Sequence, residues 1–370
     1  MMNEAATALG LRLRLLAEGP DTSAATVVHD VTVGDYTDPA VVKGFAADCD
    51  VITFDHEHVP TALLHDLEDS GIAVRPGPEA LVHAQDKVVM RDRLSAFGAP
   101  CPVYRVVGDA DELVAFGDEH GWPVIAKTSR GGYDGKGVFE LAGRDDAAQP
   151  FEDLRPGVQV IAEEFVDFRR ELSALVARSP SGQAVAYPVS ESVQRDGICV
   201  ETTTPAPGLD DDRAVGIQRL ALSIADELGV VGLLAVELME RTDGSVLVNE
   251  LAMRPHNTGH WSIDGSHTSQ FENHLRAVVD LPLGDPATRV RWTVMSNVLG
   301  GSVLDLPSAL LHCFARDRRL RVQLYGKEVR PGRKVGHVTT YGHDLDEVRE
   351  RARHAAGYLM GADESTGAGE

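Results

Sequence analysis

Long apolar runs are missing from this chain of 370 residues. No stretch of about 18 uninterrupted apolar residues occurs, so no segment reads as a membrane-spanning helix. The opening residues, MMNEAATALG, lack the basic-then-apolar order of a secretory signal. Cysteine is scarce: Cys49, Cys101, Cys199 and Cys313 stand far apart, with no CxxC pair. That spacing argues against a zinc centre or a disulfide framework and suits a reducing cytoplasm. Cations are in deficit, 35 Lys and Arg against 57 Asp and Glu, for a formal net charge of −22. So acidic a chain is unsuited to general binding of nucleic acid or anionic membrane. An anionic small molecule would need a local basic island. Aromatic residues make up only 5%, yet the length and the 43% hydrophobic content suffice for two or three domains with real cores.

Against this sparse background one stretch is dense in chemistry. Val246–Trp261, VLVNELAMRPHNTGHW, begins as an alternating strand and carries Glu250 at the strand's end. It then places Arg254, His256, Asn257 and His260 in an irregular run. Upstream, Leu233–Glu240 (LLAVELME) reads as a partner strand, joined through Arg241-Thr242-Asp243-Gly244. Asp-Gly is a strong hairpin signal. With Asp243 and Gly244 as the turn, Thr242 faces Ser245 and Glu237 falls opposite Glu250. Side chains so placed have Cβ atoms roughly 4.5–5.5 Å apart, and like charges there destabilise a sheet. A hard cation such as Mg²⁺, held by one or two carboxylates plus phosphate oxygens, turns that repulsion into coordination. A slip of one residue would instead send one Glu to solvent, so the metal reading requires a nucleotide site nearby.

The rest of the chain supplies candidates for one. Asn3–Leu9 reads as a helix stopped by Gly10 and followed by a strand over Leu11–Ala17. Asp50–Phe54 is a short apolar strand with Asp55-His56-Glu57-His58 at its end; a helix over Thr61–Ser70 and a strand over Ile72–Arg75 follow. This is the grammar of an open parallel sheet, whose ligands bind beyond the strands' carboxyl ends. Glu57 is thereby a candidate, although such a loop is ordinarily a helix entry. Pro76–Pro78 break the chain before a helix near Leu81–Phe97, ended by Gly98. Trp122–Thr128 (WPVIAKT) is a buried strand delivering Lys127. Between Gly131 and Gly137 four of seven residues are glycine, a backbone able to present N–H groups to phosphate. It is not a Walker A loop, because the strand VFEL follows it and no helix.

Gln159–Phe165 (QVIAEEF) is a strand ending in Glu163-Glu164-Phe165-Val166. Glu171 opens another (ELSALVA), Ala184–Val189 follows, and a helix over Asp212–Leu228 leads into the hairpin. In the last third, Arg291–Leu299, Leu320–Tyr325 and Val335–Tyr341 read as strands. The closing helix runs from about Leu345 to Leu359 with a capping pair Asp344 and Glu347. KEVRPGRK (Lys327–Lys334) is the one cationic island, ordinarily a solvated loop but suited to a phosphorylated substrate. The tail, Gly361–Glu370, is small and polar and reads as disordered.

Taken together, DVITFDHEHVP, AKTSRGGYDGKG, EEFVDFRRELS, VNELAMRPHNTGHWSIDGSHTSQFENHLRAVVDLPLG and YGKEVRPGRKVGH give the chain a resemblance. It resembles the N5-carboxyaminoimidazole ribonucleotide synthase family of ATP-grasp enzymes. The segments run in family order over almost the whole chain, and HNTGHW followed by SQFE-x-HLR is the most specific of them. The resemblance implies a mixed α/β and α+β fold of ATP-grasp architecture. Its parts would be an N-terminal open parallel α/β domain over residues 1–80, an ATP-grasp domain over 81–285 and a small C-terminal β-rich domain over 286–360. The lid would span 122–190, the hairpin and substrate segment 230–261, and the disordered tail 361–370.

The implied activity is ATP- and bicarbonate-dependent carboxylation of the exocyclic amine of aminoimidazole ribonucleotide, through carboxyphosphate, in purine biosynthesis. Lys127 would contact the nucleotide phosphates, helped by Lys87, beneath a lid of Gly132, Tyr133, Asp134, Gly135, Lys136 and Gly137. Glu163, Glu164, Phe165 and Val166 would hold the adenine edge through main-chain groups, and Glu171 the ribose. Glu237 and Glu250 would hold Mg²⁺, with Asn249 beside them. Tyr133, Asp134, Glu57, Lys327, Arg333 and Lys334 would surround the ribonucleotide. Arg254, His256, Asn257 and His260 would line the bicarbonate region. Asp134 and His256 are alternative acceptors of the amine proton. A cytoplasmic homodimer, with ATP, bicarbonate and the ribonucleotide as small-molecule partners, completes the expectation.

Departures from the family pattern are few. Family members begin with a strand and a Gly-rich loop that this sequence lacks, so the natural start is expected upstream. Asp55 and His56 replace Glu and Phe beside Glu57, Met253 replaces a common Pro, and Gln194 replaces a nucleotide-contacting His while keeping hydrogen-bonding capacity. Two alternatives stand: another ATP-grasp carboxylate–amine ligase, which has no need of HNTGHW and RKVGH, or a catalytically silent nucleotide-binding protein.

Overall fold

The chain opens with the helix Met2–Leu9, which ends on Gly10 in the left-handed region at φ 70°, a conformation that costs glycine least. A computed structural model describes residues 1–131 and 137–362. Beyond the helix, Arg14–Ala17 pairs in parallel with Asp30–Val33, and Val51–Ile52 with Ala73–Val74. The helix Thr61–Asp69 joins the second pair and buries Leu63, Leu64 and Leu67. The parallel α/β reading of this region holds, with shorter strands than expected. The ladder expected over Asp50–Phe54 stops before Thr53, whose hydroxyl lies 2.8 Å from the buried ring of His274.

One helix was expected near Leu81–Phe97, and two are found, Pro78–Gln85 and Lys87–Phe97. Asp86 breaks the run. Its backbone is extended and its carboxylate accepts the N–H groups of Val88 and Val89 at 3.0 and 3.3 Å. A short acidic side chain satisfies these orphan donors better than another helical turn would. The restart puts Lys87 and Arg91, four residues apart, on one side of the second helix.

Two sheets carry the remainder. A small antiparallel sheet runs in the order Tyr104–Val107, Val160–Glu164, Val124–Thr128, Val138–Leu141. A large nine-stranded sheet begins with Val246–Ala252, Gly232–Arg241, Phe168–Arg178, Ser190–Arg195 and Ile198–Thr204. It continues through Trp292–Leu299, Lys334–Gly342 and Arg321–Leu324, with Ala184–Ala186 attached to Phe168–Arg178. The strand expected over Ala184–Val189 ends early because Pro188 has no N–H to give the ladder. The chain resumes along Phe168–Arg178 at Ser190.

Both faces of the large sheet are covered. One packs Leu172, Ala174, Val176, Leu234 and Val236 under Ile217, Ala221 and Ile224 of the helix Asp211–Glu227. The other packs Leu175, Ala177, Leu233 and Ala235 against Tyr187 and Trp261. This explains the near-continuous apolar reading of those strands. The closing helix Leu345–Met360 buries Val348, Ala352, Ala355 and Leu359, and the Asp344 side chain caps it at the Glu347 N–H. Helices at Pro39–Ala46, Ala110–His120, Gln270–Val278 and Leu306–Arg316 were not anticipated.

Candidate active site

The hairpin places Glu237 and Glu250 as direct Cα partners across Gly232–Arg241 and Val246–Ala252. The expected register is present, but it is reached differently. The turn is not a two-residue Asp243-Gly244 link. Arg241 and Ser245 close a longer loop, with the Arg241 N–H donating to Ser245 O at 2.9 Å and Gly244 left-handed at φ 85°. The Asp243 carboxylate accepts the Ser245 N–H and hydroxyl, which favours this three-residue closure. That closure alone would set Glu237 against Asn249. A bulge restores the pairing: Leu238 faces Val248, Asn249 is the extra residue, and Glu237 faces Glu250.

A side-chain nitrogen stands on each carboxylate. Lys87 Nζ lies 3.2 Å from Glu250, and His256 Nε2 lies 3.2 Å from Glu237. Burial pushes the Glu237 carboxyl up, but the His256 hydrogen bond and charge, with Lys334 and Arg254, outweigh it and hold the group below its ordinary value. The His256 Nδ1 accepts the Thr258 N–H at 3.4 Å and lies 2.8 Å from the Thr258 hydroxyl, which in turn meets Ser173 at 2.6 Å. The proton of a neutral ring therefore sits on Nε2, facing Glu237.

Lys127 is buried beside the pair. Its Nζ lies 2.8 Å from Glu163 Oε2 and donates to Asn249 Oδ1 at 3.1 Å. Glu163 is claimed from its other side by Arg91 Nε at 2.6 Å. Burial pushes the Glu163 carboxyl up, and the Lys127 and Arg91 charges overcome it, bringing it to about 2. Its neighbour Glu164 accepts from the Val103 N–H and from Arg241; Phe165 is exposed and Val166 buried.

Glu171, Gln194, Glu237, Asn249 and Thr258 line a narrow cleft with Ser173 and Ser192. Burial, then the nearby charge of Glu237, pushes the Glu171 carboxyl up to about 7 against a hydrogen bond from Gln194. Gln194 also donates to Ser192 at 2.9 Å.

The irregular run is pinned from the buried Gln270, a residue of SQFE-x-HLR that had no assigned role. Gln270 accepts the His256 N–H at 2.9 Å, donates to His256 O at 2.7 Å, and meets His260 Nδ1 at 2.9 Å. His260 lies between the rings of Phe271 and His337. Burial, then the charges of His337, His256 and Lys334, push it well below its ordinary value, so it is neutral. Asn257 exchanges side-chain hydrogen bonds with Asn297. Glu57 reaches the same run from the N-terminal region: it accepts the Met253 N–H at 3.1 Å and pairs with Arg254 Nε at 2.6 Å.

Of the cationic island, Lys334 sits where its charge acts on Glu237 and His260. Lys327 lies over the Tyr325 ring at 5.5 Å, and Arg333 donates to Glu328 O in its own loop. The Gly137 carbonyl accepts the Thr128 N–H at 2.9 Å. Gly132, Tyr133, Asp134, Gly135 and Lys136, and the tail beyond Ala362, lie outside the described residues. Two further residues join the site: Arg91, which belongs to no quoted segment, and Ser173, which ends EEFVDFRRELS but carried no assigned role; each is a polar side chain on an otherwise apolar helix or strand face.

With this geometry in place, comparison with known proteins is informative. A ribonucleotide synthetase preATP-grasp domain model matches residues 1–85, an ATP-grasp domain model residues 92–271, and a phosphoribosylaminoimidazole carboxylase C-terminal domain model residues 293–351. The chain is 55% identical over 365 residues to the N5-carboxyaminoimidazole ribonucleotide synthase of Mycobacterium bovis, covering 97% of this chain and 85% of that protein. It resembles the crystal structure of the Thermus thermophilus N5-carboxyaminoimidazole ribonucleotide synthetase with a TM-score of 0.87 at 33% identity, covering 98% of this chain and 95% of that one. The Aspergillus clavatus N5-carboxyaminoimidazole synthase in complex with ADP and 5-aminoimidazole ribonucleotide gives a TM-score of 0.88 at 28% identity, covering 97% and 95%.

Proposed function

Since the chain belongs to the N5-carboxyaminoimidazole ribonucleotide synthase family of ATP-grasp ligases, we propose that the cleft beside the Glu237–Glu250 hairpin is where it works. The reaction is ATP-dependent carboxylation of 5-aminoimidazole ribonucleotide in purine biosynthesis. Bicarbonate attacks the γ-phosphate of ATP, ADP leaves, and the carboxyphosphate so formed, or its CO₂, meets the exocyclic amine of the ribonucleotide. The products are the carbamate, ADP and phosphate.

The observation that carries the assignment of residues is the pairing of Glu237 with Glu250, with Asn249 between them hooked by Lys127. Two facing carboxylates and an amide oxygen are the hard donors that Mg²⁺ takes together with phosphate oxygens. Among the described residues no group of three or more His, Cys, Asp or Glu competes as a metal site. Bound there, magnesium would offset charge on the phosphates. Lys127 and Lys87 add positive charge from the protein to the same groups. Glu163–Val166 hold the adenine edge, and Glu171 with Gln194 the ribose. Glu57 orients Arg254 towards the bicarbonate region with His256, Asn257 and His260, while Lys327, Arg333 and Lys334 meet the ribonucleotide with Tyr133 and Asp134. Closure of the Gly132–Gly137 lid keeps water from the short-lived acyl phosphate.

The domain division is read as 1–80, 81–285 and 286–360. No helix of the described residues is long and apolar enough to cross a membrane, and all four cysteines are free; we place the protein in the cytoplasm as a homodimer, which light scattering tests. The decisive assay follows ADP release with ATP, Mg²⁺ and ¹³C-bicarbonate, with and without the ribonucleotide, and looks for the labelled carbamate. Ribonucleotide-dependent ADP release is expected. Release that ignores the ribonucleotide would overturn the substrate, and a Glu250→Gln variant with an unchanged rate would remove Glu250 from the metal site.

A further inference from the structure

Arg91 is the most deeply enclosed charge beside the cleft, with 0% of its surface exposed. It projects from the helix Lys87–Phe97, one turn beyond Lys87, and spends its donors in three directions. Nε donates to Glu163 Oε1 at 2.6 Å, Nη1 to Val248 O at 2.9 Å and Nη2 to Asn249 O at 2.8 Å. The first bond ties it to the small sheet and the other two to the hairpin. Val246–Ala252 is an edge strand of the large sheet, so part of its backbone has no ladder partner. The guanidinium fork fills two of those carbonyls at the bulge that brings Glu250 opposite Glu237.

Charge points the same way. Arg91 and Lys127 share the single carboxylate of Glu163, so the enclosed trio carries one formal positive charge in excess. Lys127 is its outlet, since it alone of the two reaches Asn249 Oδ1. When Lys127 leaves Glu163 for an anion, Arg91 keeps that carboxylate paired; without Arg91 the move would strand a buried ion, which is strongly unfavourable.

We propose that Arg91 is a positioning residue for the triphosphate: its fork fixes the Val248–Asn249 bulge so that Asn249 and Glu250 face the phosphates, and its Nε frees Lys127 to reach them. The inference rests on reading the cleft as the ATP site. Lysine cannot reproduce a planar fork with an added third donor, so Arg91→Lys separates geometry from charge, and Arg91→Gln keeps an amide donor without charge.

Binding of a non-hydrolysable ATP analogue and of AMP is measured calorimetrically in Mg²⁺ buffer, with melting curves and steady-state kinetics alongside. Both variants are expected to weaken the analogue by about tenfold or more while AMP stays within about twofold. KM for ATP should rise and KM for the ribonucleotide should not. Wild-type behaviour by Arg91→Lys, or equal losses for both nucleotides and both substrates, overturns the proposal. If Arg91→Lys does not fold, Arg91→Gln decides by the same ratio. Failure of the parent protein to bind the analogue at all would instead refute the ATP site.

Discussion

Replacing Glu171 by Gln is expected to stabilise the free protein and to weaken its hold on nucleotide. Burial and the neighbouring Glu237 carry the Glu171 carboxyl from its ordinary 4.5 to about 7. A carboxyl whose folded value lies above its unfolded one keeps a proton that the unfolded chain has lost. Stability therefore falls as pH rises from about 4.5 towards 7 and levels off above that. The shift corresponds to about 3 kcal/mol at most. Gln is an uncharged match for the protonated acid and keeps the hydrogen bonding to Gln194 possible. Parent and variant should thus melt alike at about pH 5, with the variant the more stable by about 2–3 kcal/mol at about pH 8. Nucleotide reverses the balance: if ribose hydroxyls donate to Glu171, it must ionise on binding, so ADP should displace a proton near neutral pH. Calorimetry in buffers of different ionisation enthalpy reads that proton, which the variant should not release. A stability difference that is the same at both pH values would refute the reasoning.

Three further outcomes are expected. Glu163→Gln leaves Arg91 and Lys127 without a buried partner and should cost about 3–5 kcal/mol at neutral pH; because Glu163 sits at about 2 against an ordinary 4.5, the deficit should shrink as pH falls through that window, and a gap constant down to acid pH contradicts the pairing. Glu57→Gln removes the charge that holds Arg254 at 2.6 Å; losing a charged hydrogen bond of about 1.5–3 kcal/mol should lower kcat/KM for the ribonucleotide by about tenfold to a hundredfold, with KM for ATP little changed. Gly259→Ala would set a Cβ 2.3 Å from Leu175 and 2.4 Å from the Gln270 amide oxygen, an overpacking that should destabilise by about 1–3 kcal/mol; an unaltered melting curve would count against the tight seat of the 256–260 run.

Much of the site was legible because its chemistry is local in sequence. The polar run after Glu250 and the lysine-bearing strand announce themselves by residue type, and the Asp-Gly signal located the hairpin. The route to its register was not legible. The loop is one residue longer than expected, because Asp243 bonds Ser245 and Gly244 supplies the left-handed position, and the compensating bulge is held by Arg91 from far along the chain. No local pattern reports such a clamp. The break at Asp86 was missed for a related reason: the apolar spacing of the two helices runs on through it, and only the cap bonds to Val88 and Val89 separate them. Gln270 and Ser173 lie in quoted segments, yet their roles were not legible, because a buried amide or hydroxyl becomes informative only when its partners are known.

The pairing of Ile198–Thr204 with Trp292–Leu299 bears on any attempt to trim this protein. A piece ending near residue 285 would look like a self-sufficient catalytic unit, yet it would unpair one edge of the Ile198–Thr204 strand over Glu201–Thr204, with buried Thr202, Thr203 and Thr204 left at an open sheet margin. Such an open margin is a template for strand addition by other copies. The shortened protein should precipitate or self-associate, so the last third of the chain acts as a stopper against aggregation.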